Sequence, residues 1–372
     1  MKINLLNFLS LSKLENKNAF LLNSGKLGYE WWWHSLVAIN ENTNEIKPFF
    51  IEYYVLNPTI SKIIQLEPLP SYFMLKAGTW GNDSVEINNF YDLQDVSLNN
   101  TIMEIKHKDN LFYANDKYIR GYVNNSYNNL IFQNNKTSTI QWNLTINKKL
   151  KYDLGYTTSS FFRNINLAQM YWNIDGMKTE YNGTIIYNNQ KYKVISNQSY
   201  GYQDKNWGTD LTPKWIWLNC NKFKDINGNS LNSSIAIGGS IPVIFNIKFF
   251  ETLIIIFYHK NEKYEFNFSK FWKLMKQKIN IYRDNNYIYF DITAKNPQII
   301  LKINFKCLIS NMLFINYQIP NGNIPHKELY NGHHAFGKVL ILKRGKDAKV
   351  ETIYGELGGC EYGNINENII KN

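Results

Sequence analysis

At 372 residues and 43.8 kDa, the chain exceeds one ordinary domain, and with 44% hydrophobic against 19% charged residues it belongs with globular rather than disordered proteins. The formal charge of +11 comes from 41 Lys and Arg against 30 Asp and Glu, scattered among Asn, Ile and Tyr without a basic cluster, so no nucleic-acid partner is expected. Cys220, Cys307 and Cys360 lie far apart and outside any CxxC spacing, which supports neither a disulfide framework nor a zinc site and points to a reducing, cytoplasmic setting.

The N-terminal stretch carries Leu5, Leu6, Phe8, Leu9 and Leu11, but Asn7 interrupts it and no small-residue cleavage site follows, so it reads as a packing arm or short helix. No run of about 18 apolar residues follows anywhere, so no membrane span is expected; peripheral membrane contact stays open. Phe49 to Leu56 is a short apolar run of strand type. Thr184 to Ile195, broken by Asn188-Asn189, reads as a hairpin, as does Ile279 to Ala294, broken at Asp284-Asn285-Asn286. Ser269 to Gln277 is the helix the second half offers, with Phe271, Leu274 and Met275 on one face and Ser269 as cap. A further hairpin spans Lys338 to Leu357 around Arg344-Gly345-Lys346-Asp347. Short strands at even spacing predict an all-β chain of two barrel or sandwich units, residues 1–200 and 201–372, with few short helices.

Aromatic residues make up 16% of the chain, and they concentrate at two places. One is Gly28-Tyr29-Glu30-Trp31-Trp32-Trp33-His34; the other runs from Ser199 to Phe223, SYGYQDKNWGTDLTPKWIWLNCNKF. In the second, Trp215 and Trp217 are two apart and share a face, while Ile216, Leu218 and Cys220 take the other, so the strand is apolar on both sides. Such a strand lies in a two-sided core or along a barrel with an apolar pocket.

Asp204-Lys205-Asn206-Trp207-Gly208 followed by Pro213-Lys214-Trp215-Ile216-Trp217 resembles the signature of the tocopherol cyclase-like family. Glu30 stands in an acidic position like that of the family's Glu-Gly-Trp-Tyr-Phe-Lys strand, although Trp31 replaces the Gly and His34-Ser35 replace Phe-Lys. Ile237-Gly238-Gly239, Tyr264-Glu265-Phe266 and Tyr354-Gly355-Glu356-Leu357-Gly358-Gly359 follow in the family's order, extending the resemblance over about residues 25–362. The resemblance implies two lipocalin-like β units around a hydrophobic cavity, and a reaction in which a prenylated quinol closes a ring onto its own tail. Relatives in the wider group hydrate carotenoids or shape pericyclic closures.

That cyclisation needs an acid for an alkene, exclusion of water from the cation, and ring faces to stabilise it. A carboxyl in apolar surroundings holds its proton near neutrality, and each Trp or Tyr face contributes about 0.5–2 kcal/mol of cation–π attraction. Asp204 and Glu30 are the candidate acids, and His34 is a candidate donor or relay. Trp32, Tyr202, Asn206, Trp207, Trp215, Trp217 and Asn219 are the candidate ligand-binding residues. The plainer readings are that Asp204 pairs with Lys205 or caps a turn, that Glu30 closes a buried ion pair across the two units, and that His34 is a hydrogen-bonded structural residue. Asp175, before Gly176, reads as a turn residue or a cavity residue.

His333 and His334 are adjacent and would face opposite sides of a strand, so they form a metal site with His326 only if the loop folds back; no metal is expected. No nucleotide, zinc-protease or nucleophile-elbow motif occurs, consistent with chemistry that needs no cofactor. The functional expectation is a cofactor-independent cyclase, or a hydratase, acting on an isoprenoid or polyene. The alternatives are a lipocalin-like carrier of an apolar ligand, with no obligate protein partner in either case, and a sugar-binding β protein using Trp platforms.

Overall fold

The computed structural model describes residues 17–22, 27–58, 69–124, 138–152, 170–211, 214–241, 243–244, 247–248, 251–268, 274–324, 329–345 and 348–364. Strand periodicity dominates it. The strands from Tyr29–Asn40 to Gly201–Gly208 make one 12-stranded antiparallel sheet, and those from Lys214–Cys220 to Lys349–Asn364 supply a second of 12 strands. The sheets curl into lipocalin-like barrel and half-barrel units. The helical segments among the described residues are single 3₁₀ turns.

The turn chemistry explains the hairpins. Asn188 and Asn189 both sit at positive φ, 47° and 65°, the conformation of a two-residue type I′ turn, and Tyr187 pairs with Gln190 across it. Ile279 pairs with Ile292, and Val339 with Ile353, in the other two hairpins. The helix expected at Ser269 to Gln277 is not found in its described part: Leu274 and Met275 are irregular, and Lys276 and Gln277 open the strand Lys276–Arg283. Its first five residues, the N-terminal apolar stretch and His326 lie outside the described residues. There the β ladder overrides local helical spacing, because Gln277 pairs with Ala294.

Period-two alternation sorts most of the apolar residues into three large cores, with Tyr171 and Trp207 in a small fourth cluster. Trp32, Leu36 and Ala38 of Tyr29–Asn40 point into the first barrel, with Trp142, Tyr181 and Tyr192. Ile216, Leu218 and Cys220 point into the second, with Phe257, Phe290 and Phe305. Trp31 and Trp33 from the first sheet meet Trp217, Ala236 and Ile254 from the second in the core between the sheets. The three cysteines are buried and unpaired.

One position of the first sheet accepts only glycine without strain. Gly183 has φ +143°, and a Cβ there would stand 2.1 Å from the Asn143 carbonyl oxygen. Gly183→Ala is therefore expected to cost about 1–3 kcal/mol from backbone strain, read as a lower urea midpoint with an unchanged m-value.

Candidate active site

The two aromatic segments that stood out in the sequence are neighbours in space. Tyr29–Asn40 and Gly201–Gly208 run antiparallel with Trp33 opposite Asp204 and Trp31 opposite Asn206. Register then fixes which side chains share a face. Trp31, Trp33, Tyr202, Asp204 and Asn206 face the seam between the sheets, while Glu30, Trp32, His34, Lys205 and Trp207 face away from it.

Trp31, Trp33, Asp204, Asn206, Trp215, Trp217, Tyr317 and Glu361 line a cavity of about 20 Å³ at that seam. This space holds about one water molecule, far less than the apolar cavity expected for a polyene. Its walls are ordered rings. Trp31 stacks on Tyr317 at 4.9 Å between centroids, and Trp33 meets Trp217 edge-on at 6.2 Å. Asn206, with its amide oriented to satisfy both groups, accepts from Trp31 Nε1 at 2.9 Å and donates to the Tyr171 carbonyl at 3.2 Å.

Two carboxyl groups face this space. Asp204 Oδ2 accepts from Trp172 Nε1 at 2.8 Å and from Tyr202 OH at 2.9 Å. Burial pushes its pKa up to about 7 against those two bonds, with the nearby Glu361 and Glu52 charges adding to the rise. Glu361 Oε1 accepts from Asn331 Nδ2 at 2.7 Å, and its Oε2 accepts from Trp215 Nε1. Burial likewise lifts its pKa to about 7, with the Glu52 charge contributing. Two like groups in one site titrate as a pair, so near neutrality they hold roughly one proton between them.

A buried charge network borders the pair. Lys76 Nζ lies 3.2 Å from Glu52 Oε2 and 4.2 Å from the Tyr317 ring centroid, and the Tyr317 hydroxyl donates to Glu52 Oε2 at 3.4 Å. Burial raises the pKa of Glu52 despite that cation. The Lys76–Glu52 pair, with Glu86 Oε1 3.7 Å from the same ammonium, thus stands behind the cavity wall formed by Tyr317.

Of the residues singled out by sequence, Asp204, Asn206, Trp215 and Trp217 meet at the cavity, and Tyr202 is bonded to Asp204 beside it. Asn219 is fully buried, with neither amide atom partnered among the described residues. Glu30, Trp32, His34 and Trp207 are on the other face. Glu30 Oε2 is 2.6 Å from Lys205 Nζ in a buried pair within the first sheet, not across the two units. His34 Nδ1 bonds the Tyr181 hydroxyl at 2.9 Å, and burial lowers the His34 pKa to about 3, so its ring is neutral. Trp207 stacks on Tyr171, and Lys205 Nζ lies 4.9 Å from the Trp32 ring. Asp175 is within the strand Met170–Tyr187 and pairs with Lys148. His333 stacks on Trp80 at 5.2 Å.

Sequence reasoning missed Glu361, Tyr317 and the Lys76–Glu52 pair. A signal existed for some of them. Glu52 and Lys76 are single charges inside apolar strands, Phe49-Phe50-Ile51-Glu52-Tyr53-Tyr54 and Phe73-Met74-Leu75-Lys76-Ala77, and charges buried in that way need a partner.

A family profile described as tocopherol cyclase-like matches residues 90–307, more than half of the chain; it takes in Asp204 and the two tryptophans of Lys214–Cys220 and stops short of Glu361. No curated protein matches the chain. Among solved structures, a putative AttH from Nitrosomonas europaea is similar over 92% of this chain and 98% of its own, at 11% identity and a TM-score of 0.44. Kievitone hydratase from Nectria haematococca is similar over 90% and 88%, at 14% identity and a TM-score of 0.46. CghA is similar over 94% of each chain, at 11% identity and a TM-score of 0.47.

Proposed function

The chain belongs to the tocopherol cyclase-like family, and from that premise we propose that it is a cofactor-independent cyclase of a prenylated quinol-type isoprenoid, started by proton donation from Asp204. The observation that carries this reading is a carboxyl group with its pKa near 7 on the wall of an aromatic cavity. A group so poised is half protonated at neutrality, where a general acid works best.

The roles follow from position. Asp204 gives its proton to the less substituted carbon of a trisubstituted alkene, and a tertiary cation forms at the neighbouring carbon. Trp31, Trp33 and Trp217 present rings to that cation, and a bound substrate that fills the space displaces the water that would capture it. The quinol oxygen then bonds to the cationic carbon and loses its hydrogen, so substrate and product have the same mass. A prenylated ring is much larger than about 20 Å³, and pockets for such ligands measure roughly 300–1,000 Å³. Binding therefore requires the aromatic side chains at the seam to rearrange.

Carboxyl groups on the cavity wall favour catalysis over carriage, because a carrier of an apolar ligand gains nothing from burying them. The test is incubation of the purified protein with a prenylated hydroquinone in D₂O. The expected product has lost one alkene, gained a cyclic ether, and carries one deuterium on carbon. Recovery of bound but unchanged, unlabelled quinol would replace the cyclase reading with carriage.

A further inference from the structure

The two carboxyl groups differ in how their oxygens are bonded, and that difference separates their tasks. Both donors to Asp204 converge on Oδ2, and Oδ1 has no bond among the described residues. This suits a protonated acid, whose carbonyl oxygen accepts two bonds while the other oxygen carries the proton toward the cavity. Glu361 instead meets one N–H on each oxygen, from Asn331 and from Trp215. Asn331 cannot turn round to accept, because its own Oδ1 is held by Trp80 Nε1 at 2.6 Å, and an indole nitrogen only donates. The Glu361 position is therefore built for a group that accepts at both ends, which a carboxylate does and an amide does not.

We infer that Glu361 is the general base of the ring closure, removing the hydroxyl proton of the quinol while Asp204 protonates the alkene; this rests on the cyclase reading above. Protons and charge balance in this scheme. The Asp204 proton becomes a C–H bond, the quinol O–H proton passes to Glu361, and the new C–O bond neutralises the cation. The site resets when the proton returns from Glu361 to Asp204, and the cavity that both groups line has room for one water as relay. Asn331 and Trp80 are positioning residues: they hold Glu361 in place without touching the substrate.

The experiment uses the full chain, a prenylated hydroquinone and D₂O. Glu361→Gln is expected to slow ring closure roughly 100-fold or more, while the recovered quinol still gains deuterium in its prenyl chain. That label arises because Asp204 still protonates the alkene, and the cation, lacking a deprotonated nucleophile, returns a proton from carbon to the Asp204 carboxylate. Asp204→Asn should show neither closure nor label. Closure by Glu361→Gln at the parent rate would overturn the base assignment and leave the cyclase reading intact. Loss of both closure and label in a folded Glu361→Gln protein would also overturn it, by making Glu361 structural. A parent protein that neither closes nor labels the quinol removes the cyclase reading itself. Because Gln leaves two N–H groups facing an amide, Glu361→Ala with added acetate is the second variant. Restored closure by the small carboxylate supports the base role, and a folded Glu361→Ala protein indifferent to acetate contradicts it.

Discussion

Asp204→Asn is expected to lower turnover of a prenylated quinol about 10²- to 10⁴-fold, the usual contribution of a positioned general acid, without loss of fold. The substitution is close to isosteric, and the Asn carbonyl oxygen keeps the bonds from Trp172 Nε1 and Tyr202 OH that now reach Asp204 Oδ2. What disappears is the acidic proton. The same variant should change how stability depends on pH. The Asp204 pKa rises from its ordinary 3.8 to about 7 on folding, so the folded state holds a proton that the unfolded state releases. The resulting stabilisation is fully present below pH 4 and is lost as pH rises through about 7. Between pH 5 and pH 8 that amounts to about 3 kcal/mol. His34 and His333, lowered to about 3 by burial, act in the opposite direction between about pH 3 and 6.5, so the parent profile alone is a mixture. Glu361, raised to about 7 in the same site, titrates with it, so the difference between parent and variant reports Asp204 together with its coupling to Glu361. In urea titrations, Asp204→Asn should gain about 3 kcal/mol relative to the parent on going from pH 5 to pH 8. Parallel profiles would show that Asp204 does not titrate near neutrality.

The contrast between Asp204 and Glu30 shows how far the sequence could reach. Both are acidic residues in Trp-rich strands, and both met the chemical requirement equally. Their fates differ because Trp33, not Glu30, stands opposite Asp204. Alternation within each strand is legible, but the register between two strands is not, and a slip by one residue would exchange the faces. The hairpin at Asn188-Asn189 was legible because a two-residue turn needs positive φ and Asn tolerates it. Glu361 was hidden for another reason. It comes from the last strand, Lys349–Asn364, and reaches the cavity only because that strand lies beside Lys214–Cys220, with Trp217 opposite Glu361. Nothing local to either segment specifies that pairing.

Lys205→Met is expected to destabilise the protein by about 3–5 kcal/mol, the cost of leaving one member of a buried ion pair without its partner. Lys205 and Glu30 are both fully buried and 2.6 Å apart. Burial lifts the Glu30 pKa even with Lys205 present, so without the ammonium the carboxyl would fold protonated or not at all. The pair also fastens the chain ahead of the first strand. Glu30 Oε1 accepts from Leu21 N at 2.7 Å and Leu22 N at 2.5 Å, Lys205 Nζ donates to the Ala19 carbonyl, and Trp32 Nε1 donates to the Asn18 carbonyl at 2.7 Å. A double variant, Glu30→Leu with Lys205→Met, removes both charges but leaves those backbone groups unsatisfied. It should therefore be less destabilised than the sum of the singles, yet stay below the parent by roughly 1–3 kcal/mol. Denaturant midpoints of the four proteins give the coupling, and strict additivity would mean that the two charges do not interact. Every bond Glu30 makes, to the Lys205 ammonium and to the Leu21 and Leu22 amides, ties the segment ahead of the first strand to the sheet. Glu30 thus belongs to the framework that holds the Tyr29–Asn40 strand, whose opposite face presents Trp31 and Trp33 to the seam.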